Sequence, residues 1–330
     1  MTFPGNKYLG VPRAQLHVVL LVKMQPGIST HVFLQQRLHP GLLDAMARAL
    51  SPYGTPVIEI FAARHHFDYT DRSIVRDLAL WFRDASILPT LHQPVYLDSQ
   101  WSRHTAPTLN LIDPEKSHRI DAMDEVKRAL ESAEQIPFTA LTLHLGLKDD
   151  PWNLRALENS LTAIEHLKAF AHPLGVKILL ENLQNEVTTP DHLLEILRVG
   201  HFDNVGVTLD LGHAHLSGGT PAIDEAVEIL KPRVRALNLH DNQGTVTRKD
   251  EHLWPVANLT PDAATEKAPK EVTNTIDWPN AQKHLATLPP NTPAILEISY
   301  ELNETPESVQ KKASAFFSHQ ARLAEQLQPL

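Results

Sequence analysis

The sequence predicts an α/β protein of one domain, a closed (β/α)8 barrel of the TIM type, and three observations predict it. From about residue 28 onward, short β-rich runs alternate with longer helical patterns, the order that requires a parallel sheet with crossover helices. Eight such runs can be counted, which fits a closed barrel better than the structural alternative, an open doubly wound sheet. The Gly-rich turn after a first strand that marks a dinucleotide fold is missing.

The runs fall at residues 28–33, 57–61, 87–92, 140–144, 176–181, 205–210, 234–240 and 294–298. Between them lie amphipathic segments. In the clearest, Leu154, Leu157, Leu161, Ile164, Leu167 and Phe170 recur at three-and-four spacing and are expected to pack along one helical face. Residues 1–27 precede the first repeat and read as an added strand, a hairpin or an N-terminal extension to a barrel domain of residues 28–330. One connection is out of proportion: 56 residues separate His240 from Glu297, against 28 between Glu181 and Asp210 and 29 between Asp210 and His240. The excess is an insertion at about 256–275, expected on the active-site face and of a length that is functional or disordered.

With 330 residues and 42% hydrophobic content the chain can bury a large core, and barrels of this type run to about 250 residues or more as one unit. A net charge of −9 disfavours nucleic acid as a partner without forbidding a local basic groove. There is no cysteine, so disulfides and thiolate metal sites are excluded, and a transition metal must be held by His, Asp and Glu. That composition suits a reducing cytoplasm. The apolar run LHVVLLVKM at 16–24 contains Lys23 and is too short to span a bilayer, so no membrane association is expected.

The strand ends carry the functional signal. Read in order they give His31, Glu59, His92, His144, Glu181, Asp210, His240 and Glu297. Strands buried on both faces are normally apolar throughout, and the C-terminal face of a barrel is where side chains from separate strands converge on one pocket. Taken singly, His31 reads as a satisfied core or rim residue and Glu59 as the partner of Arg64. His201 and His215 read as surface or packing residues. Glu181 in ILLEN and Glu297 in AILEIS lie beside aliphatics, where an unpartnered carboxylate is costly, so each calls for a metal or a charge partner. Asp210 closes VGVTLD and is followed one turn later by His213, which supports shared ligation. Three carboxylates and an imidazole make an oxygen-rich site suited to Mn²⁺, Mg²⁺ or Co²⁺, whereas additional histidines draw the choice toward Zn²⁺. Asp250 and His252 form an Asp-x-His pair that either reaches a second metal or the substrate, or is a solvated loop pair.

These motifs resemble the sugar phosphate isomerase/epimerase family of xylose isomerase-like barrels, a superfamily that also contains endonuclease IV (AP endonuclease family 2). The likeness spans about residues 28–325 and rests on FAARHHFDYTD at 61–71, LTLHLG at 141–146, ILLEN at 178–182, VTLDLGHAHLSGG at 207–219, LHDNQG with DEHLWP around His240 and His252, TIDW at 275–278 and AILEIS at 294–299. The resemblance implies a metal quartet of Glu181, Asp210, His240 and Glu297, with His213 beside it as a substrate contact. It further implies that Glu181 and Glu297 exchange a proton with a small carbohydrate through a metal-stabilised enediolate. In the endonuclease branch three zinc ions are held by additional histidines, and His92, His144, His213, Asp250 and His252 fall at matching positions, as substrate contacts or second-metal ligands. The chain departs from the family in its long insertion and in Asn238, which stands two before His240 where many relatives have histidine.

Three functions follow for comparison: a divalent-metal-dependent sugar or sugar phosphate isomerase/epimerase, favoured by the acidic charge; a zinc phosphodiesterase acting at abasic DNA; and a non-catalytic sugar-binding barrel, disfavoured because few basic residues flank the strand-end carboxylates. The resemblance also implies a homo-oligomer, since such barrels often form dimers or tetramers.

Overall fold

The computed structural model describes residues 24–97, 106–244, 252–255, 275–299 and 304–326. Eight parallel strands close into a barrel in sequence order: β1 (Met24–Ser29), β2 (Val57–Phe61), β3 (Leu88–His92), β4 (Ala140–Leu143), β5 (Lys177–Glu181), β6 (Gly206–Asp210), β7 (Val234–Leu239) and β8 (Thr292–Leu296). The helices that follow them are α1 (Pro40–Leu50), α2 (Arg72–Asp84), α3 (Lys116–Glu131), α4 (Leu154–Ala171), α5 (Pro190–Val199), α6 (Leu211–Gly218), α7 (Thr220–Leu230), α8 (Trp278–Leu285) and α9 (Pro306–Gln326). Among the described residues, no helix is long and apolar enough to cross a membrane.

The helix starts are written locally. Asp71, Asn153, Thr189, Asp210 and Asp277 each cap a helix by accepting a hydrogen bond from a first-turn backbone N–H, which satisfies donors that have no partner within the helix. Asp210 is the functional case, because capping α6 fixes this carboxylate at the mouth of the barrel.

Three expectations are corrected. The first strand begins at Met24, not at residue 28, and ends at Ser29, so His31 stands in a one-turn 3-10 helix (Thr30–Phe33) beyond it. Pro26 and Gly27 disguise the strand, since both are depleted from strand interiors. Here Gly27 permits a close approach: a Cβ would lie 2.9 Å from Cγ1 of Ile295 on β8. Residues 1–23 lie outside the described residues.

The expected stripe of α4 is rotated. Ile164 and Leu167 are buried, but Leu157, Leu161 and Phe170 are only partly so and Leu154 is 70% exposed. The face toward the barrel is instead completed by Ala156, Ser160, Ala163 and Ala171, small residues that let the helix lie close to the strands. Of the expected insertion, residues 256–274 lie outside the described residues.

Inside the barrel, even-numbered strands contribute a polar layer. The Thr142 hydroxyl donates to Oε2 of Glu59 at 3.2 Å and lies 3.2 Å from the Thr208 hydroxyl. Such layers from alternate strands fill barrels of this type. Glu59 therefore does not pair with Arg64. That guanidinium turns outward to Glu125 of α3, at 2.6 and 2.5 Å, because Arg64 lies past the end of β2, outside the barrel interior.

Candidate metal centre

Above that layer the strand ends converge. Glu181 and Asp210 end β5 and β6, and Glu297 follows β8 directly. All three are buried, as are His92, Asn238 and His240. The amide of Asn238 donates to Oε1 of Glu181 at 2.9 Å and to Oε2 of Glu297 at 2.8 Å. His144 Nε2 lies 2.8 Å from Oε2 of Glu181 and 3.0 Å from His92 Nε2. His92 Nε2 is also 3.9 Å from Oε1 of Glu297. On the other side of the pocket, His240 Nε2 is 3.1 Å from Oδ1 of Asp210, and the same oxygen accepts the His213 backbone N–H at 2.6 Å.

Asn182, next to Glu181, clamps Asp210 by accepting its N–H at 2.8 Å and donating to its carbonyl at 2.9 Å. Gly212 supplies space for His240: a Cβ there would sit 2.0 Å from Cε1 of the imidazole. His215, read from the sequence as a packing or surface residue, is buried and bonded to Asn242 at 2.7 Å.

Electrostatics set the two glutamates apart. Burial opposes charge on Glu181, but the imidazoles of His144 and His92 outweigh it and hold this carboxyl well below its ordinary range. Burial, reinforced by the charge of Glu181, raises Glu297 to about 8. Burial likewise raises Glu59, to about 7. His92 is raised to about 9 despite burial, because Glu181, Glu297 and Glu59 surround it.

The donor chemistry fits a divalent ion. His31 Nδ1, Glu59 Oε1, Asp210 Oδ2, Asn238 Oδ1 and His240 Nε2 are buried polar atoms with no hydrogen-bond partner, a cost that folded proteins rarely leave uncompensated. The Nδ1 atoms of His92, His213, His240 and His252 lie 2.9, 2.9, 3.4 and 3.1 Å from the backbone carbonyls of Gln93, Asn182, Asp241 and Glu297. A backbone carbonyl at Nδ1 is the arrangement that commonly orients metal-bound histidines, whose Nε2 is then the ligand.

Sets of donor atoms lying within 4.8 Å of one another are Glu181–Asp210–His213, His92–His144–Glu181, His213–His240–His252 and His31–His252–Glu297. The four expected metal ligands thus share one pocket but are distributed over adjoining triads. Of the residues expected to bind substrate or a second metal, His92, His144, His213 and His252 enter these triads, and Asp250 lies outside the described residues. Sequence reasoning passes over His31, Asn182 and Asn238 as site residues. ILLEN contains a signal for Asn182, a polar side chain directly after a buried strand-end carboxylate.

Residues 47–319 match the family described as xylose isomerase-like TIM barrel. Among curated proteins, the chain is 29% identical to an uncharacterized protein of Methanocaldococcus jannaschii over 39% of this chain and 45% of that one. It is 26% identical to a probable endonuclease 4 of Haloquadratum walsbyi over 46% of this chain and 58% of that one. The chain thus spans about half the length of these relatives. A solved D-tagatose 3-epimerase-like protein superposes with a TM-score of 0.65 at 20% identity, covering 92% of this chain and 100% of that one. The chain belongs to the xylose isomerase-like TIM barrel family.

Proposed function

We propose that this barrel is a divalent-metal-dependent isomerase or epimerase of a small carbohydrate, with Glu181 and Glu297 as the groups that move the proton. The observation that carries this reading is the bonding of both carboxylates, from β5 and from the end of β8, to the single amide of Asn238. Two acids held on either side of one fixed group can address opposite faces of a substrate carbon. Their surroundings differ, Glu181 lying against the imidazoles of His144 and His92 and Glu297 against the Asn238 amide and, more distantly, His92, which suits unlike roles in accepting and giving a proton.

Glu181, Asp210, His240 and Glu297 would hold the ion, and a divalent metal there supplies Lewis acidity to the substrate carbonyl. Glu181 takes the proton from the carbon next to that carbonyl. Glu297 delivers a proton to the opposite face, which inverts the carbon, or to the neighbouring carbon, which isomerises the sugar. Asn238 keeps the two carboxylates in register throughout. The likeness to a D-tagatose 3-epimerase-like barrel agrees with a keto-sugar as substrate.

The test is a panel of keto-sugars incubated with metal-loaded protein in D₂O. Deuterium at the carbon next to the carbonyl, with a new epimer or aldose, is expected for at least one sugar. A second reading is favoured by His92 and His144, which bring two more donors to Glu181 than one ion needs: a zinc phosphodiesterase acting on abasic DNA. Nicking of an abasic duplex, with no proton exchange on any sugar, would replace the first reading with the second.

A further inference from the structure

We propose that His31, His252 and Glu297 form a separate binding position for a zinc-type divalent ion, on the β1–β8 side of the pocket and sharing Glu297 with the quartet. This rests on the reading that the pocket is a metal site.

One donor atom from each of the three residues lies within 4.8 Å of the others, the spacing at which a single ion can be reached by modest side-chain adjustment. His31 is held in place by its neighbours. Its ring stacks on Phe61 at 4.6 Å and 20°, and His252 approaches it edge-on at 5.8 Å and 79°. Phe61 in turn stacks on His92 at 4.6 Å, so His31 cannot swing across the barrel without breaking a continuous stack of rings. Yet Nδ1 of His31 is buried with no hydrogen-bond partner. A positioned imidazole with an unanswered nitrogen beside a carboxylate is what a ligand looks like before its ion arrives.

His252 points to the same conclusion. Its Nδ1 lies 3.1 Å from the backbone carbonyl of Glu297, so the residue that supplies the carboxylate also fixes the imidazole beside it. The ring can serve one ion at a time, and two triads include His252. The triad with His213 and His240 needs His240, whose Nε2 lies against Asp210 at 3.1 Å and belongs to the quartet. The His31 triad needs only Glu297 in common, and a carboxylate has two oxygens with which to bridge. The set His92–His144–Glu181, by contrast, is already closed by its own hydrogen bonds.

Two imidazoles and one carboxylate favour Zn²⁺ or a similar borderline ion over Mg²⁺. Three protein ligands also leave an open position, as in sites that engage water or substrate oxygen.

The experiment is equilibrium dialysis of chelator-stripped protein against Zn²⁺, with bound metal counted by mass spectrometry. It compares wild type, His31→Phe, Glu181→Gln and the double variant. Phenylalanine keeps the stack on Phe61 and removes both nitrogens, and the apo variants are first checked for a wild-type melting temperature. His31→Phe is expected to bind one ion fewer than wild type, and the double variant to lose a further one. His31→Phe binding as many ions as wild type, with unchanged affinity, overturns the inference and leaves the proposed function standing. Loss of the sole ion in His31→Phe but not in Glu181→Gln supports the inference while removing the quartet. Should wild type bind no Zn²⁺, both fall. If His31→Phe melts early, His31→Gln is measured by the same count.

Discussion

His240 Nε2 lies 3.1 Å from Oδ1 of Asp210 and makes no hydrogen bond, with both side chains sealed from solvent. Two electron-rich atoms held this close and dry are stabilised by a cation or a proton between them. The backbone of this region is fixed independently of any ion: Asn182 clamps Asp210, and Asp210 in turn caps α6.

Asp210→Asn is therefore expected to weaken metal binding by more than the roughly 10–100-fold that loss of an outer-sphere partner causes, while asparagine retains the helix cap. Isothermal titration with Zn²⁺ or Mn²⁺, alongside a thermal melt of the apo protein, checks both halves. An unchanged affinity would remove Asp210 from the ligand set.

Glu297→Gln retains size and an oxygen while removing the charge. Turnover is expected to fall by at least about 10²-fold, as for a lost general acid or base, with metal binding only modestly weaker. Solvent-proton exchange next to the substrate carbonyl, followed in D₂O with metal-loaded variant, is the measurement. Full exchange would make this carboxylate a ligand only.

Gly212→Ala tests the packing that seats His240. The added methyl would meet the imidazole at 2.0 Å, so the ring or α6 must shift, at a cost of about 1–3 kcal/mol. Stability should drop by that amount in urea unfolding, and metal affinity should drop with it. Gly218→Ala, where the nearest atom is the Ala222 Cβ at 3.2 Å, should leave metal affinity unchanged.

Acid sensitivity is expected from a group outside the pocket. Glu125 is buried and accepts hydrogen bonds from Arg64, from Arg128 at 2.7 Å and from the Tyr69 hydroxyl. Burial alone would raise its pKa, but these donors outweigh that and hold it below the ordinary carboxylate value. A folded-state pKa below the unfolded one adds stability above the unfolded value of about 4.3, and that stability is lost as pH falls through the folded value. Glu125→Gln should thus be clearly less stable than wild type at pH 7, with the gap closing as pH falls through the folded value. Tyr69→Phe should cost about 1.5–3 kcal/mol at pH 7. Equal pH profiles for Glu125→Gln and wild type would show that the cluster is not ionic.

The strand-end pattern is legible because an ionisable side chain closing a buried apolar run is costly unless a partner or an ion answers it, and Glu181, Asp210, His240 and Glu297 do meet in one pocket. Glu59 misleads because its sequence proximity to Arg64 suggests a pair, whereas strand alternation turns one into the barrel and the chain leaves the strand before the other. His31 reads as a satisfied core or rim residue because a single histidine at a strand end carries no ligand signal of its own, and its two partners, His252 and Glu297, are more than 200 residues away in the chain.

What the sequence by itself determined is the eightfold order of strands and helices, the helix caps and the residue types at the strand ends. All of these are set by periodicity and local hydrogen-bonding preference within a few residues. Only the tertiary structure decided which side chains share a volume. Asn238 lies between two glutamates 57 and 59 residues away in the chain, and His31 meets His252 and Glu297 across the closing seam of the barrel. Those relations depend on barrel closure, register and the direction of each side chain, which arise from packing among distant segments and leave no local mark in the chain.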